Sequence, residues 1–145
     1  MILVQRILFL KNVPLFSTMP PDTLAWVAEA ADETSCPSGQ AIFEKGSVGD
    51  RMYVIADGSV RIHDGDKTLA NLPQGAFFGE LSILDGETRS ASATAETDCL
   101  LLVIRHDSFR RILSKQFDVT ESLLKILVRR IREQSTQLQQ TQNEN

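Results

Sequence analysis

Residues 78–93 read FGELSILDGETRSASA, and their order of residue types describes a seat for a small anion. Glu80-Leu81-Ser82-Ile83-Leu84 predicts one helical turn, whose first N–H groups have no intrahelical acceptor and so point at whatever lies before them. An anion placed there meets free donors and the positive end of the peptide dipoles. Gly79, lacking a Cβ, lets the main chain take unusual angles and lets a ligand approach it closely. Arg89 adds a planar fork of donors and a permanent charge, which match a phosphate bidentately. Glu80 would repel a phosphate directly, but a carboxylate aimed at a sugar hydroxyl accepts a charge-assisted hydrogen bond. Ser82, Ser90, Ala91, Ser92 and Ala93 leave room, and their hydroxyls can satisfy further oxygens.

The segment resembles the phosphate-binding cassette of cyclic nucleotide-binding domains, F-G-E-L-[AS]-[LI]-x(5)-R-[AST]-A, along its whole length. The resemblance implies that Arg89 holds the cyclic phosphate and that Glu80 binds the ribose 2′-OH, the one free ribose hydroxyl of a 3′,5′-cyclic nucleotide. It implies further contacts from Gly79, Leu81, Ser82, Ser90 and Ala91 through backbone or hydroxyl groups. Thr88 departs from the pattern, since many members carry proline there. That change loosens the turn and removes no ligand contact.

Moving outward, 145 residues with 42% hydrophobic content suffice for one domain with a real core and leave no room for a large second one. The net charge of −4 argues against general affinity for nucleic acid or anionic membrane. The charge is uneven: residues 1–104 hold 7 basic and 14 acidic side chains, whereas 105–132 hold 8 basic and 3 acidic. Cys36 and Cys99 have no CxxC partner and sit in or beside apolar runs. They read as buried free thiols, which fits a reducing cytoplasm. The opening MILVQRILFL lacks a leading basic region and a cleavage site, and no run reaches the ~18 apolar residues of a membrane span. It reads instead as a short amphipathic helix with Leu3, Ile7 and Leu10 on one side.

A Pro14–Pro21 connection follows, with Pro21 suited to the first position of a new helix carrying Leu24, Val27, Ala28 and Ala31. From about 38 to 104 the texture is short β-branched and aromatic runs broken at glycine turns. These runs are 41–43, 52–56, 59–63, 67–72, 90–95 and 99–104. Many short strands predict a closed β-sandwich or jelly roll. Helical texture returns with Phe109, Ile112 and Leu113, then with 117–138. The expected fold is therefore α+β, mainly β: a double-stranded β-helix jelly roll flanked by N-terminal helices and two C-terminal helices. Residues 1–138 form the domain, with C-terminal helices at about 106–138. The glutamine-rich 139–145 reads as a polar tail or linker.

A purine needs apolar walls. Aligned on Gly58, Gly75 and the cassette, the family's base- and ribose-lining positions fall at Ile62, Leu69, Ala70, Leu72 and Phe78. In the last helix, Phe117, Thr120, Leu124, Leu127, Ile131, Gln134 and Leu138 recur at spacings of three and four, the mark of a coiled-coil seam and hence of a homodimer through this helix. Arg129-Arg130-Ile131 followed by Gln134-Ser135 is similar to the dimer helix of the family's catabolite-activator branch, which makes Arg130, Gln134 and Ser135 candidate lid residues over the base.

Several classes find no support. The chain carries no Walker A, G-x-S-x-G, H-E-x-x-H or kinase signature, so no catalytic residue is assigned. His63 and His106 read as surface residues, so no metal site or cofactor is expected beyond the nucleotide ligand itself. No helix-turn-helix follows the long helix, so direct nucleic-acid binding by these residues is not expected. The resulting expectation is a cytoplasmic sensor that binds cyclic AMP, or cyclic GMP, and couples it to movement of the C-terminal helices acting on an attached or separate effector. The competing readings are a ligand-free β-roll scaffold, in which Glu80 and Arg89 pair with each other, and the ligand domain of a truncated transcription regulator.

Overall fold

The computed structural model describes the backbone of residues 1–144 and the side chains of residues 1–140. Two helices, α1 (Leu3–Lys11) and α2 (Pro21–Ala30), precede the strands β1 (Asp32–Cys36), β2 (Ala41–Phe43), β3 (Arg51–Asp57), β4 (Val60–Asp64), β5 (Lys67–Leu72) and β6 (Phe77–Phe78). The short helix α3 (Glu80–Asp85) leads to β7 (Ser92–Ala95) and β8 (Cys99–Arg105), and α4 (His106–Lys115) and α5 (Phe117–Glu144) follow. The strands form two four-stranded sheets, β1-β8-β3-β6 and β2-β7-β4-β5, with antiparallel neighbours throughout. This is the expected jelly roll with flanking helices.

The near-continuous apolar runs of β3 and β8 follow from the two-residue period of a strand. Tyr53, Ile55, Leu101 and Val103 face into the roll, where they meet Val60, Phe78 and Ala93. Their neighbours Met52, Val54, Leu102 and Ile104 face the other way and pack on Leu10, Leu24, Val27, Phe109, Ile112, Val119 and Leu123 of the helices. β3 and β8, the central strands of the first sheet, are thus buried on both faces, as a middle layer must be. The same alternation splits β6, with Phe77 in the helical core and Phe78 in the roll. The Gly65-Asp66 turn closes the β4–β5 hairpin, with Asp64 paired to Lys67.

The structure corrects four expectations. The roll begins at Asp32, not near residue 38, because Asp32–Cys36 pairs along its whole length with β8. That strand is polar and mostly exposed, so it carries no apolar alternation, and its charges suit a sheet edge. The last helix continues past Leu138 to Glu144, so residues 139–144 of the expected tail are helical; Asn145 lies outside the described residues. His63 is half-buried, with its ring nitrogens 2.7 Å from Thr94 Oγ1 and 2.9 Å from the Gly65 carbonyl.

The expected seam on α5 is also redrawn. Thr120 donates from Oγ1 to the Leu113 carbonyl of α4 at 2.7 Å, and Leu127 packs against the helical core. The apolar side chains that α5 leaves exposed are Phe117, Leu124, Val128, Ile131 and Leu138, a line that again steps by fours, threes and sevens. Among the described residues no helix is long and apolar enough to cross a membrane.

Candidate functional site

Local chain chemistry sets the cassette. Gly79 takes φ +87° at the N-cap of α3, a left-handed conformation that side chains rarely adopt, and this turns the chain sharply from β6 into the helix. Glu80 is then the first residue of α3, where its charge also complements the helix end. After α3 the chain returns to Arg89, which is knitted to the loop following β2: Arg89 N–H donates to Ser47 O, and Gly46 N–H donates to Arg89 O, both at 2.8 Å.

Arg89 is 4% exposed. Its Nη1 donates to Gly79 O and its Nη2 to Arg51 O, each at 2.7 Å. Its Cζ stands 4.1 Å from the centroid of the Phe43 ring. Nε is buried and has no hydrogen-bond partner among the described residues. Burial draws the guanidinium below its ordinary pKa through lost solvation, while nearby Tyr53, Asp50 and Glu80 act in the opposite direction. The arginine nonetheless stays charged, because its reference value is so high. Gly49 makes this geometry possible: a Cβ there would lie 2.4 Å from Ser82 Cβ and 2.8 Å from Arg89 Cζ.

Glu80 is 2% exposed and pairs not with Arg89 but with Arg130, whose Nη1 donates to Glu80 Oε1 at 2.7 Å. The Glu80–Arg89 pair expected of a ligand-free scaffold is therefore replaced by a link from the cassette to α5. The Arg130 guanidinium also lies 5.4 Å from the Phe77 ring, so an aromatic residue of β6 supports the same contact.

These elements surround a cavity of about 520 Å³, within the ~300–1,000 Å³ typical of small-molecule sites. Gly79, Glu80, Leu81, Ser82, Arg89, Ser90 and Ala91 of the cassette line it together with Ile62, Leu69, Ala70, Leu72 and Phe78. Of the three lid candidates, Arg130 and Gln134 line the cavity. Ser135 is exposed and is not among the lining residues, because at 3.6 residues per turn it sits about 140° around α5 from Arg130. Sequence reasoning missed Phe43, Phe77, Glu133 and Gln137, all of which line the cavity. Glu133 and Gln137 were within reach, since 130, 133, 134 and 137 form one helical stripe. Phe43 gave no such signal, because its partnership with Arg89 joins different strands and loops.

The cavity lining thus combines a buried cation whose Nε has no partner among the described residues, a buried carboxylate and an apolar surface. That combination suits phosphate, hydroxylated sugar and base. Comparison with known proteins agrees. The family model described as "Cyclic nucleotide-binding domain" matches residues 33–116. The cAMP-dependent protein kinase regulatory subunit of Aspergillus fumigatus is 35% identical over 113 residues, covering 77% of this chain and 27% of that protein. The Cyclic AMP receptor protein of Thermus thermophilus is 34% identical over 134 residues, covering 89% of this chain and 62% of that protein. The crystal structure of Thermus thermophilus Catabolite Activator Protein superposes with a TM-score of 0.77 at 33% identity, covering 86% of this chain and 61% of that one. The chain spans less than two thirds of the length of each of these relatives. By the family match, the fold and the site together, the chain belongs to the cyclic nucleotide-binding domain family.

Proposed function

We propose that this domain binds a 3′,5′-cyclic nucleotide, cyclic AMP in preference to cyclic GMP, and transmits occupancy through α5 to an effector. The observation that carries the reading is the state of Arg89: a buried guanidinium that lines a cavity of nucleotide size and whose Nε has no partner among the described residues. The phosphate would take the free donor edge of Arg89 and the N–H groups at the start of α3. The ribose 2′-OH would donate to Glu80, and the base would lie against Ile62, Leu69, Ala70 and Leu72. The names of the similar proteins favour cyclic AMP, as does Gln134 on the lid side of the cavity, whose amide can both donate to and accept from an adenine edge.

The coupling to α5 rests on the Glu80–Arg130 contact. A hydroxyl arriving at Glu80 meets a carboxylate already bonded to the last helix, so ligand binding and helix position share one group. Ligand can shift that helix only by the difference between its affinities for the two arrangements. The exposed line Phe117, Leu124, Val128, Ile131 and Leu138 suits a second copy of α5, which would make a homodimer the unit that responds. The effector belongs either to the same polypeptide or to a separate partner.

Calorimetry with cyclic AMP and cyclic GMP tests the reading. Binding is expected for the unsubstituted chain, and Arg89→Ala is expected to weaken it by roughly 2 to 4 kcal/mol, the loss of a bidentate charged contact in a buried site. Equal affinity in the two proteins, or no heat and no thermal shift with either nucleotide, would remove the proposal in favour of a scaffold.

A further inference from the structure

Arg89 carries a buried positive charge that pairs with no carboxylate among the described residues. The two acidic side chains in its vicinity are each engaged by another arginine: Asp50 bonds Arg51 at 3.1 Å and Glu80 bonds Arg130 at 2.7 Å. What Arg89 has instead is two backbone carbonyls, from Gly79 and Arg51, and the face of Phe43 at 4.1 Å from its Cζ. The distance is well inside the ~6 Å within which an aromatic quadrupole attracts a cation. A carboxylate in that place would hold the guanidinium equally firmly, but an incoming phosphate would have to displace it. An aromatic face attracts the cation without occupying its donor edge, so Nε and the N–H groups not given to the Gly79 and Arg51 carbonyls remain for an anion.

The ring is itself fixed. Phe43 ends β2, half-buried, and its centroid lies 5.9 Å from both Tyr53 and Phe78, which stack on each other at 5.1 Å. Tyr53 and Phe78 are buried residues of the roll core. The three rings therefore form a rigid shelf running from that core to the cavity that Phe43 also lines. Aromatic pairs prefer tilted or offset arrangements such as these.

We infer that Phe43 is a positioning residue for ligand affinity: the π face of its ring, and not merely its apolar bulk, holds Arg89 in the posture that receives the phosphate. The inference rests on the cyclic-nucleotide reading above. The shelf acts before ligand arrives, by raising the fraction of molecules whose guanidinium is already placed. Apparent affinity falls in proportion to that fraction when it is reduced.

The test replaces Phe43 with mono-, di- and trifluorinated phenylalanine, which drain the π face in steps at nearly constant shape, and measures cyclic AMP affinity by calorimetry. Affinity is expected to fall stepwise, by roughly threefold to tenfold over the series, the size of one cation–π contact. Phe43→Leu, which keeps apolar bulk, should bind as weakly as the trifluorinated protein, and Phe43→Tyr should stay within about twofold of the unsubstituted chain. Melting curves without ligand check that each protein is folded, and if Phe43→Leu does not fold, the near-isosteric fluorinated series decides alone. A flat series, or full affinity in a folded Phe43→Leu, overturns the role of the ring while leaving the nucleotide reading intact. Failure of the unsubstituted chain to bind overturns both.

Discussion

Arg130 of α5 reaches back fifty positions along the chain to Glu80 of the cassette, donating from Nη1 to Oε1 at 2.7 Å. The carboxylate is buried, while the Arg130 side chain is 43% exposed. One buried acid is therefore held by one half-solvated base, and that base sits on the element farthest along the chain. The pair ties α5 to the wall of the cavity, and it does so through the group assigned to the ribose hydroxyl.

Arg130→Ala is expected to cost about 1 to 2 kcal/mol of stability, less than a fully buried pair, because solvent screens the arginine. The loss should be local. Amide exchange should speed up along α5 beyond Leu124 and stay unchanged in β3 and β8, which lie in the core. Unaltered exchange in α5 would show that the pair does not tether the helix.

Gly49→Ala introduces a Cβ 2.4 Å from Ser82 Cβ and 2.8 Å from Arg89 Cζ. Either α3 or the arginine has to move. A stability loss of roughly 1–3 kcal/mol is expected from the overpacking, together with weaker cyclic-nucleotide binding, both read from denaturant melts and calorimetry. Retained affinity in a destabilised protein would mean that α3 yields and Arg89 keeps its place.

Tyr53 is the single tyrosine of the chain, so phenolate absorbance reports on it alone. Burial is the main cause that raises its pKa, with the charges of Arg51 and Arg89 opposing. In the folded protein its titration midpoint should lie above the ordinary value of about 10 and return to that value in denaturant. Because the folded state keeps this proton longer, the associated stability is fully present below pH ~10 and is lost as the pH rises through the folded pKa. A folded-state midpoint at or below that of the denatured chain would contradict the burial.

Cys36 and Cys99 are direct partners across the β1–β8 ladder, and both are buried free thiols. Burial pushes the Cys36 thiol up, and the neighbouring Cys99 adds to the shift. Since the thiolate is the reacting species, a disulfide reagent at neutral pH should modify neither thiol in the native protein and both in denaturant. Fast reaction under native conditions would show that this end of the ladder opens readily.

Much of this was legible from residue order. Glycine-broken apolar runs marked six of the strands, Pro21 marked the start of α2, and the cassette carried its own chemistry from Gly79 to Ala91. The strands that escaped notice were β1, a polar edge, and β6, only two residues long. The seam on α5 was misread in part because a spacing of three and four fits two neighbouring stripes on one helix. Packing chose between them, turning Thr120 and Leu127 inward and leaving Val128 exposed.

Local spacing carries the β-roll, its helical flanks and a glycine turn that presents one arginine and one carboxylate. Which groups those two residues meet was decided only by the tertiary structure. The Phe43 shelf beneath Arg89, the space left at Gly49 and the Arg130 contact to Glu80 join residues that no short-range period connects. Strand register and the placement of α5 bring them together, and those depend on how the whole core packs.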